Sequence, residues 1–280
     1  MSTYVVTGAA SGMGRAVAEK LAAAGHSVID VDIVDATVMA DLSTPAGRRR
    51  AATEVLERCD GRLDGAVMAA GLGPASGRTR LIAEVNFFGV TELLDAWRPA
   101  LAAAGNAKAV VFSSNSSTTV PMVPGRAVRG FLAGDVDKAV GTLRIFGKQA
   151  PTFAYAASKI AISRWVRRTA VLPEWAGAGI RLNAIAPGAV LTPLLEKQLA
   201  TPAEAKQIKR FPVPIGGFGD PSHLADWVVF MLSESADFLC GSVVFVDGGS
   251  DAWFRADDWP RGVPARRLRG YLRRMREFRH

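Results

Sequence analysis

One short segment constrains the chain more than any other. Thr7-Gly8-Ala9-Ala10-Ser11-Gly12-Met13-Gly14 follows an apolar run, Tyr4–Thr7, and opens a helical pattern that Gly25 ends. A strand, a glycine-rich turn and a helix in that order form the phosphate-binding unit of a dinucleotide fold. Gly8 permits a tight turn, Gly12 lets backbone approach a pyrophosphate, and Gly14 lets the helix sit close to the sheet. Ser11 and Met13 complete the turn, and the helix N-terminus offers free N–H groups to an anion. A glycine-rich turn without a ligand is the competing reading.

The rest of the chain repeats this alternation. Strands are predicted at Ser27–Asp32, Gly65–Ala69, Ala109–Ser113, Ile180–Ile185 and Val243–Val246. Helices are predicted at Gly12–Ala24, Arg48–Arg58 and Glu84–Ala104. Continuous apolar strands between helices imply a parallel sheet covered on both faces, an α/β doubly wound sheet of Rossmann type. Such a sheet binds ligands beyond the carboxyl ends of its strands. Asp32 ends the second strand at the distance where a carboxylate accepts hydrogen bonds from adenosine ribose hydroxyls. It repels a 2′-phosphate, and Ile33 and Val34 follow it instead of a cation, so NAD is favoured over NADP. Asp30 is on the same face but further from the ligand end.

Tyr155 and Lys159 are spaced i, i+4 at the start of another helical pattern, so phenol and ammonium share a face. A nearby cation favours the phenolate, which makes the pair a usable acid/base for alcohol oxidation or ketone reduction. Alone, the spacing also describes an ordinary helix surface.

The full set, in order, is Thr7-Gly8 to Gly14, Asp41-Leu42, Ala70-Gly71, Asn86, Ser113-Ser114, Tyr155 to Lys159 and Pro187-Gly188, closed by Val246-Asp247-Gly248-Gly249. This resembles the short-chain dehydrogenase/reductase family from residue 3 to about residue 250. The resemblance implies Tyr155 as acid/base and Lys159 as the group that holds the nicotinamide ribose and lowers the Tyr155 pKa. Ser114, rather than the deeper Ser113, would bond the substrate oxygen, and Asn86 would anchor a water linking Lys159 to solvent. It also implies that Asp41 contacts adenine beside Leu42, and that Pro187, Gly188, Val190 and Thr192 position the nicotinamide. One departure is Met68-Ala69-Ala70-Gly71, where the family has two Asn before Ala-Gly, so a local set of hydrogen bonds must be replaced.

The second departure is the long segment 115–150, which makes Ser114 and Tyr155 41 residues apart. With Gly25-His26-Ser27-Val28-Ile29, Ala40-Asp41-Leu42-Ser43, Phe88-Gly89-Val90-Thr91 and Ile185-Ala186-Pro187-Gly188-Ala189, it is most similar to the bacterial 3α-hydroxysteroid dehydrogenase/carbonyl reductase group. That resemblance implies a hydroxysteroid or similar apolar cyclic alcohol or ketone as substrate. Aromatic alcohol dehydrogenases of the coniferyl type look similar too, and an aromatic or terpenoid alcohol is the alternative substrate. A non-catalytic nucleotide-binding regulator is the alternative of another class, and the intact set Asn86, Ser114, Tyr155 and Lys159 argues against it.

The insert follows the strand that delivers Ser114 and is expected to alter how the Tyr155 helix meets a partner in a homodimer or homotetramer. Leu191–Phe211 reads as a substrate lid, with Leu194, Leu195, Leu199 and Phe211 as candidates to line an apolar pocket, and plain core packing is the competing reading of these four. Residues 1–254 read as one domain and 255–280 as a basic extension. Of the net charge of +8, the segment from Arg255 to His280 carries +6, leaving the main domain close to neutral. Leu268, Tyr271, Leu272, Met275 and Phe278 fall at helical spacing among arginines. Docking on a partner subunit is the favoured reading of this helix, ahead of a solvated tail and of an anionic membrane or nucleic acid. No nucleic-acid motif accompanies it. No apolar run is long enough to span a bilayer, and the N-terminus enters a strand directly, without a signal-peptide pattern. Cys59 and Cys240 read as structural thiols of a cytoplasmic protein, and neither has metal-ligand neighbours.

Overall fold

The computed structural model describes residues 1–259 and 262–277. Seven strands form one parallel sheet: β1 (Thr3–Thr7), β2 (Ser27–Asp32), β3 (Val38–Met39), β4 (Gly65–Met68), β5 (Lys108–Phe112), β6 (Arg181–Pro187) and β7 (Val243–Val246). Their order is β3-β2-β1-β4-β5-β6-β7, with every neighbour parallel. The expected doubly wound α/β sheet is therefore present. β3 was not anticipated, because two residues are too few to show a period.

The helices are α1 (Gly12–Ala23), α2 (Pro45–Arg58), α3 (Thr79–Ala83), α4 (Gly89–Ala103), α5 (Ser116–Thr119), α6 (Gly125–Leu132), α7 (Val136–Leu143), α8 (Ala150–Thr169), α9 (Pro193–Leu199), α10 (Pro202–Arg210), α11 (Pro221–Leu232), α12 (Ser250–Arg255) and α13 (Leu268–Glu277). α2 starts earlier than expected because Thr44 caps it, accepting the Gly47 amide at 3.0 Å, and Pro45 fits its first turn. The single long helix predicted over Glu84–Ala104 is instead a π-helical turn at Glu84–Phe88 followed by α4, with α3 running into the turn from before it.

Strand alternation splits the core in two. Val5, Met68 and Val111 point to one face, under α4 and α8. Val6, Val67 and Val110 point to the other, where Val17 and Leu21 of α1 meet Leu224 and Val228 of α11. Burial on both faces is why β4 and β5 have no exposed residue. The strand order turns back between β1 and β4, which opens a crevice at their carboxyl ends.

The insert is a helical hairpin, with α6 and α7 packed on each other and α6 against α8. Gly130 makes this close approach possible: a side-chain carbon there would lie 2.7 Å from the Ala139 nitrogen. Phe131 is fully buried, with its ring centroid 5.4 Å from that of Phe87 and 6.4 Å from that of Phe88 in the π-turn. Among the described residues no helix is long and apolar enough to cross a membrane.

The hairpin is thus part of the core. Phe131→Ala should cost about 3–5 kcal/mol. Urea denaturation measures this, and a loss under about 1 kcal/mol would mean that the hairpin is a surface appendage.

Candidate active site

The turn after β1 is built by close backbone contact. Gly8 and Gly12 have left-handed φ of 72° and 56°. A side-chain carbon on Gly8 would meet the Ala70 nitrogen at 2.7 Å, and one on Gly14 would meet the Gly8 oxygen at 2.2 Å. α1 therefore starts directly behind the turn, with no acidic residue in its first turn and the Ser11 side chain making no cap hydrogen bond. Its positive end is left open to an anion.

In front of the turn lies a cleft of about 490 Å³. Gly8, Ser11, Gly12, Met13, Gly14, Asp32, Asp41, Leu42, Ala70, Gly71 and Thr192, all singled out from the sequence, line it together with Ile33. Asp32 is oriented by accepting the Ala10 amide at 2.9 Å and its neighbour Ile33's at 2.7 Å. Asp30 is tied to Thr37 by hydrogen bonds from its amide and hydroxyl and does not reach the cleft wall. Thr192 caps α9, accepting from the Leu195 amide at 3.4 Å, and its methyl group faces Gly12.

At the inner end, Gly71 connects the cleft to the titratable groups. A carbon on Gly71 would lie 3.4 Å from Asn86 Oδ1 and 3.8 Å from Lys159 Nζ. Asn86 sits in the π-turn and spends its side chain on Leu72: Oδ1 accepts the Leu72 amide at 2.7 Å and Nδ2 donates to the Leu72 carbonyl at 2.9 Å. Both polar atoms of the Asn86 side chain are thus engaged with Leu72. Next to this clamp, the Ala70 amide donates to Thr7 Oγ1 at 3.2 Å, which ties the Met68-Ala69-Ala70-Gly71 segment to β1.

Lys159 is buried, and its ammonium donates to the Phe112 carbonyl at the end of β5 at 2.7 Å. Its Nζ is 5.7 Å from the centroid of the Tyr155 ring. Burial pulls its pKa down to about 8. Burial pushes the Tyr155 phenol up from its ordinary value, and a hydrogen bond with the Ser114 side chain draws it partway back. The lowering of Tyr155 by Lys159 expected from the sequence does not dominate here, because desolvation acts on both groups toward their neutral forms.

The two serines are sorted by strand alternation. Ser113 Oγ donates to the Lys159 carbonyl at 3.2 Å and lies 2.7 Å from Ser163 Oγ, so it binds β5 to α8. Ser114 is turned the other way, toward Tyr155, and accepts the Ser116 amide at 3.1 Å. Pro187, Gly188 and Val190 lie outside the glycine-lined cleft. The Pro187 carbonyl accepts the Asn115 amide at 2.9 Å, Gly188 packs on Asp247, and Val190 is buried beside Gly219. In the lid segment, Leu195 is buried, Leu199 is half-buried and Phe211 packs on Phe254 with ring centroids 5.7 Å apart. The side chain of Leu194 and all of Phe278 lie outside the described residues.

One buried group was not anticipated. The Arg48 guanidinium donates to Glu92 at 2.7 Å, and to Glu84 and the Leu42 carbonyl at 3.1 Å each. It ties the cleft wall at Leu42 to the first residue of the π-turn. No local sequence pattern marks a partner set 36 and 44 residues away.

On this doubly wound sheet a glycine-lined cleft thus leads toward a buried lysine, beside which a tyrosine and a serine are hydrogen-bonded to one another. Comparison with known proteins agrees. Residues 2–125 match the family model described as short chain dehydrogenase, and residues 138–251 the model described as Enoyl-(Acyl carrier protein) reductase. The chain is 41% identical to a 3-alpha-hydroxysteroid dehydrogenase/carbonyl reductase of Comamonas testosteroni, over 91% of this chain and 98% of that one. It is 32% identical to a coniferyl-alcohol dehydrogenase of a Pseudomonas species, over 88% and 94%. A solved 3-alpha-hydroxysteroid dehydrogenase from Pseudomonas sp. B-0831, complexed with NADH, superposes with a TM-score of 0.85 at 43% identity, over 91% and 99%. The chain belongs to the short-chain dehydrogenase/reductase family and is an oxidoreductase.

The lysine gives a pH signature. A folded pKa of about 8 against 10.5 for the free side chain means that the unfolded chain binds more protons between those values. Stability should therefore rise with pH across that window, by on the order of 3 kcal/mol in the limit of full burial. Urea midpoints of wild type and Lys159→Met should converge or cross as pH rises from 8 to 10.5. Parallel curves would contradict a desolvated ammonium.

Proposed function

We propose that this chain interconverts a secondary alcohol and a ketone with NAD(H), and that its substrate is an apolar cyclic compound of the hydroxysteroid kind. The observation that carries this reading is the meeting of Tyr155, Ser114 and Lys159 at the end of the glycine-lined cleft.

The cleft fits a dinucleotide. The backbone of Gly8, Gly12 and Gly14 leaves no side chain in front of the α1 N-terminus, which suits a pyrophosphate. Asp32 on its wall suits unmodified ribose hydroxyls and disfavours a 2′-phosphate, so NAD is the cofactor. Asp41 and Leu42 suit the adenine side, and Thr192, Pro187, Gly188 and Val190 the nicotinamide side. When bound, NAD takes up or returns the hydride of the reaction.

The chain itself handles the proton and the charge. During reduction the Tyr155 hydroxyl gives its proton to the substrate oxygen, and during oxidation its phenolate takes that proton back. Ser114 donates to the same oxygen as negative charge develops there. A protonated Lys159 favours the phenolate, and its tether to the Phe112 carbonyl keeps it beside Tyr155. Asn86 acts through the Leu72 clamp, keeping Gly71 against Lys159.

The choice of substrate draws on the higher identity to the hydroxysteroid relative than to the coniferyl-alcohol one. The inward Leu195 and the Phe211–Phe254 contact in the lid segment support an apolar ligand. Residues 1–254 are the catalytic unit and 255–280 an extension. The hairpin over α8 supports a homo-oligomer that associates through another face, and the two free thiols support cytoplasmic residence.

Two variants test the assignment. Tyr155→Phe should lower kcat by about 10²–10⁴-fold while NADH still binds, measured by turnover and by fluorescence titration. Full activity in that variant would remove Tyr155 from the mechanism. Asp32→Ala should narrow the ratio of kcat/KM for NAD over NADP by about ten-fold or more, as a lost charge-assisted contact implies. An unchanged ratio would show that the preference lies elsewhere.

A further inference from the structure

The C-terminal helix α13 plays no part in the cleft. The family match ends at residue 251, so it does not account for this helix. Leu268, Tyr271, Leu272 and Met275 follow the i, i+3, i+4, i+7 pattern of one helix face. All four are exposed, Met275 to 62%. Arg269, Arg273, Arg274 and Arg276 occupy the remaining faces, and no residue of the helix is buried. An apolar stripe left in water on a helix this basic calls for a surface that is apolar below and anionic above.

We propose that α13 is an amphipathic anchor that lies in the surface of an anionic lipid bilayer. Its ten residues extend about 15 Å, half the hydrocarbon thickness, so it lies in the interface and does not span. The stripe enters the acyl boundary while the arginines meet lipid phosphates. The chain leading into this extension exposes Trp253 in α12, and the extension itself Trp259, at 68% each, side chains suited to the boundary between headgroups and acyl chains. A second copy of this chain is a poor occupant. The two tails carry like charge, +6 each from Arg255 to His280, and the main domain is close to neutral. Nucleic acid would engage the arginines but give the apolar stripe nothing to bury against. If the substrate is an apolar cyclic alcohol, as proposed above, the anchor holds the enzyme where that substrate dissolves. The anchoring itself does not depend on that reading.

The test is co-sedimentation of the full chain with phosphatidylcholine vesicles, with and without added phosphatidylglycerol, and duplex DNA as a separate arm. Binding should require phosphatidylglycerol. Leu272→Glu should weaken it by about ten-fold or more. Arg274→Gln should weaken it by about five-fold. Both variants should keep wild-type thermal unfolding and wild-type NADH affinity, readouts independent of the substrate. Three results would overturn the proposal: no partition into anionic vesicles, binding by Leu272→Glu equal to wild type, or tighter binding to duplex DNA than to vesicles.

Discussion

The close approach of three backbone segments, made possible by Gly8 and Gly14, fixes the site. Gly14 lies on the carbonyl of Gly8, and Gly8 lies on the backbone of Ala70, at distances that admit no side chain. This contact joins the α1 N-terminus to the end of β4. From there the chain continues to Gly71, where a side-chain carbon would meet Asn86 and Lys159, and Lys159 reaches the carbonyl of Phe112 two residues before Ser114. The phosphate end of the cleft and its reactive end are thus connected by a few contacts between rigid elements. A catalytic group is held most closely when strands and helices carry it.

Desolvation sets the electrostatics of the reactive end. Lys159 and Tyr155 are both pushed toward neutrality by burial. That moves the ammonium close to the pH range in which a proton must be exchanged. Ser114 works against the rise of the Tyr155 pKa, and so has a tuning effect before any substrate arrives. The insert contributes from behind. Phe131 packs on Phe87 and Phe88, the two residues that follow Asn86 in the π-turn. Arg48 fixes the other end of the same turn through Glu84. The features that set this chain apart are therefore not confined to its surface.

The doubly wound sheet was legible because strands buried on both faces read as unbroken apolar runs, and the cleft residues because glycine positions and Asp32 follow from backbone geometry. Less was legible where structure depends on contacts distant in sequence. The two residues of β3 have no period of their own. The π-turn inside a helical run leaves no mark in residue type, though it decides where Asn86 points. Segment 115–150 lacked any strand pattern, and its helices are short, glycine-interrupted and stabilised by packing on α8 and the π-turn. The i, i+4 spacing displays the cation beside Tyr155, whereas the burial that raises the Tyr155 pKa is a property of the folded whole. Of the two serines, only strand alternation against α8 shows that Ser113 is spent on Ser163.

The proposed function requires hydride transfer between a substrate carbinol carbon and nicotinamide, with Tyr155 exchanging the proton. Incubation with NAD and a hydroxysteroid deuterated at the carbinol carbon, followed by mass spectrometry of the NADH formed, tests it directly. The wild-type chain should carry one deuterium from the substrate carbon into NADH, and Tyr155→Phe almost none. NADH formed without the label, or equal labelling by the variant, would contradict it.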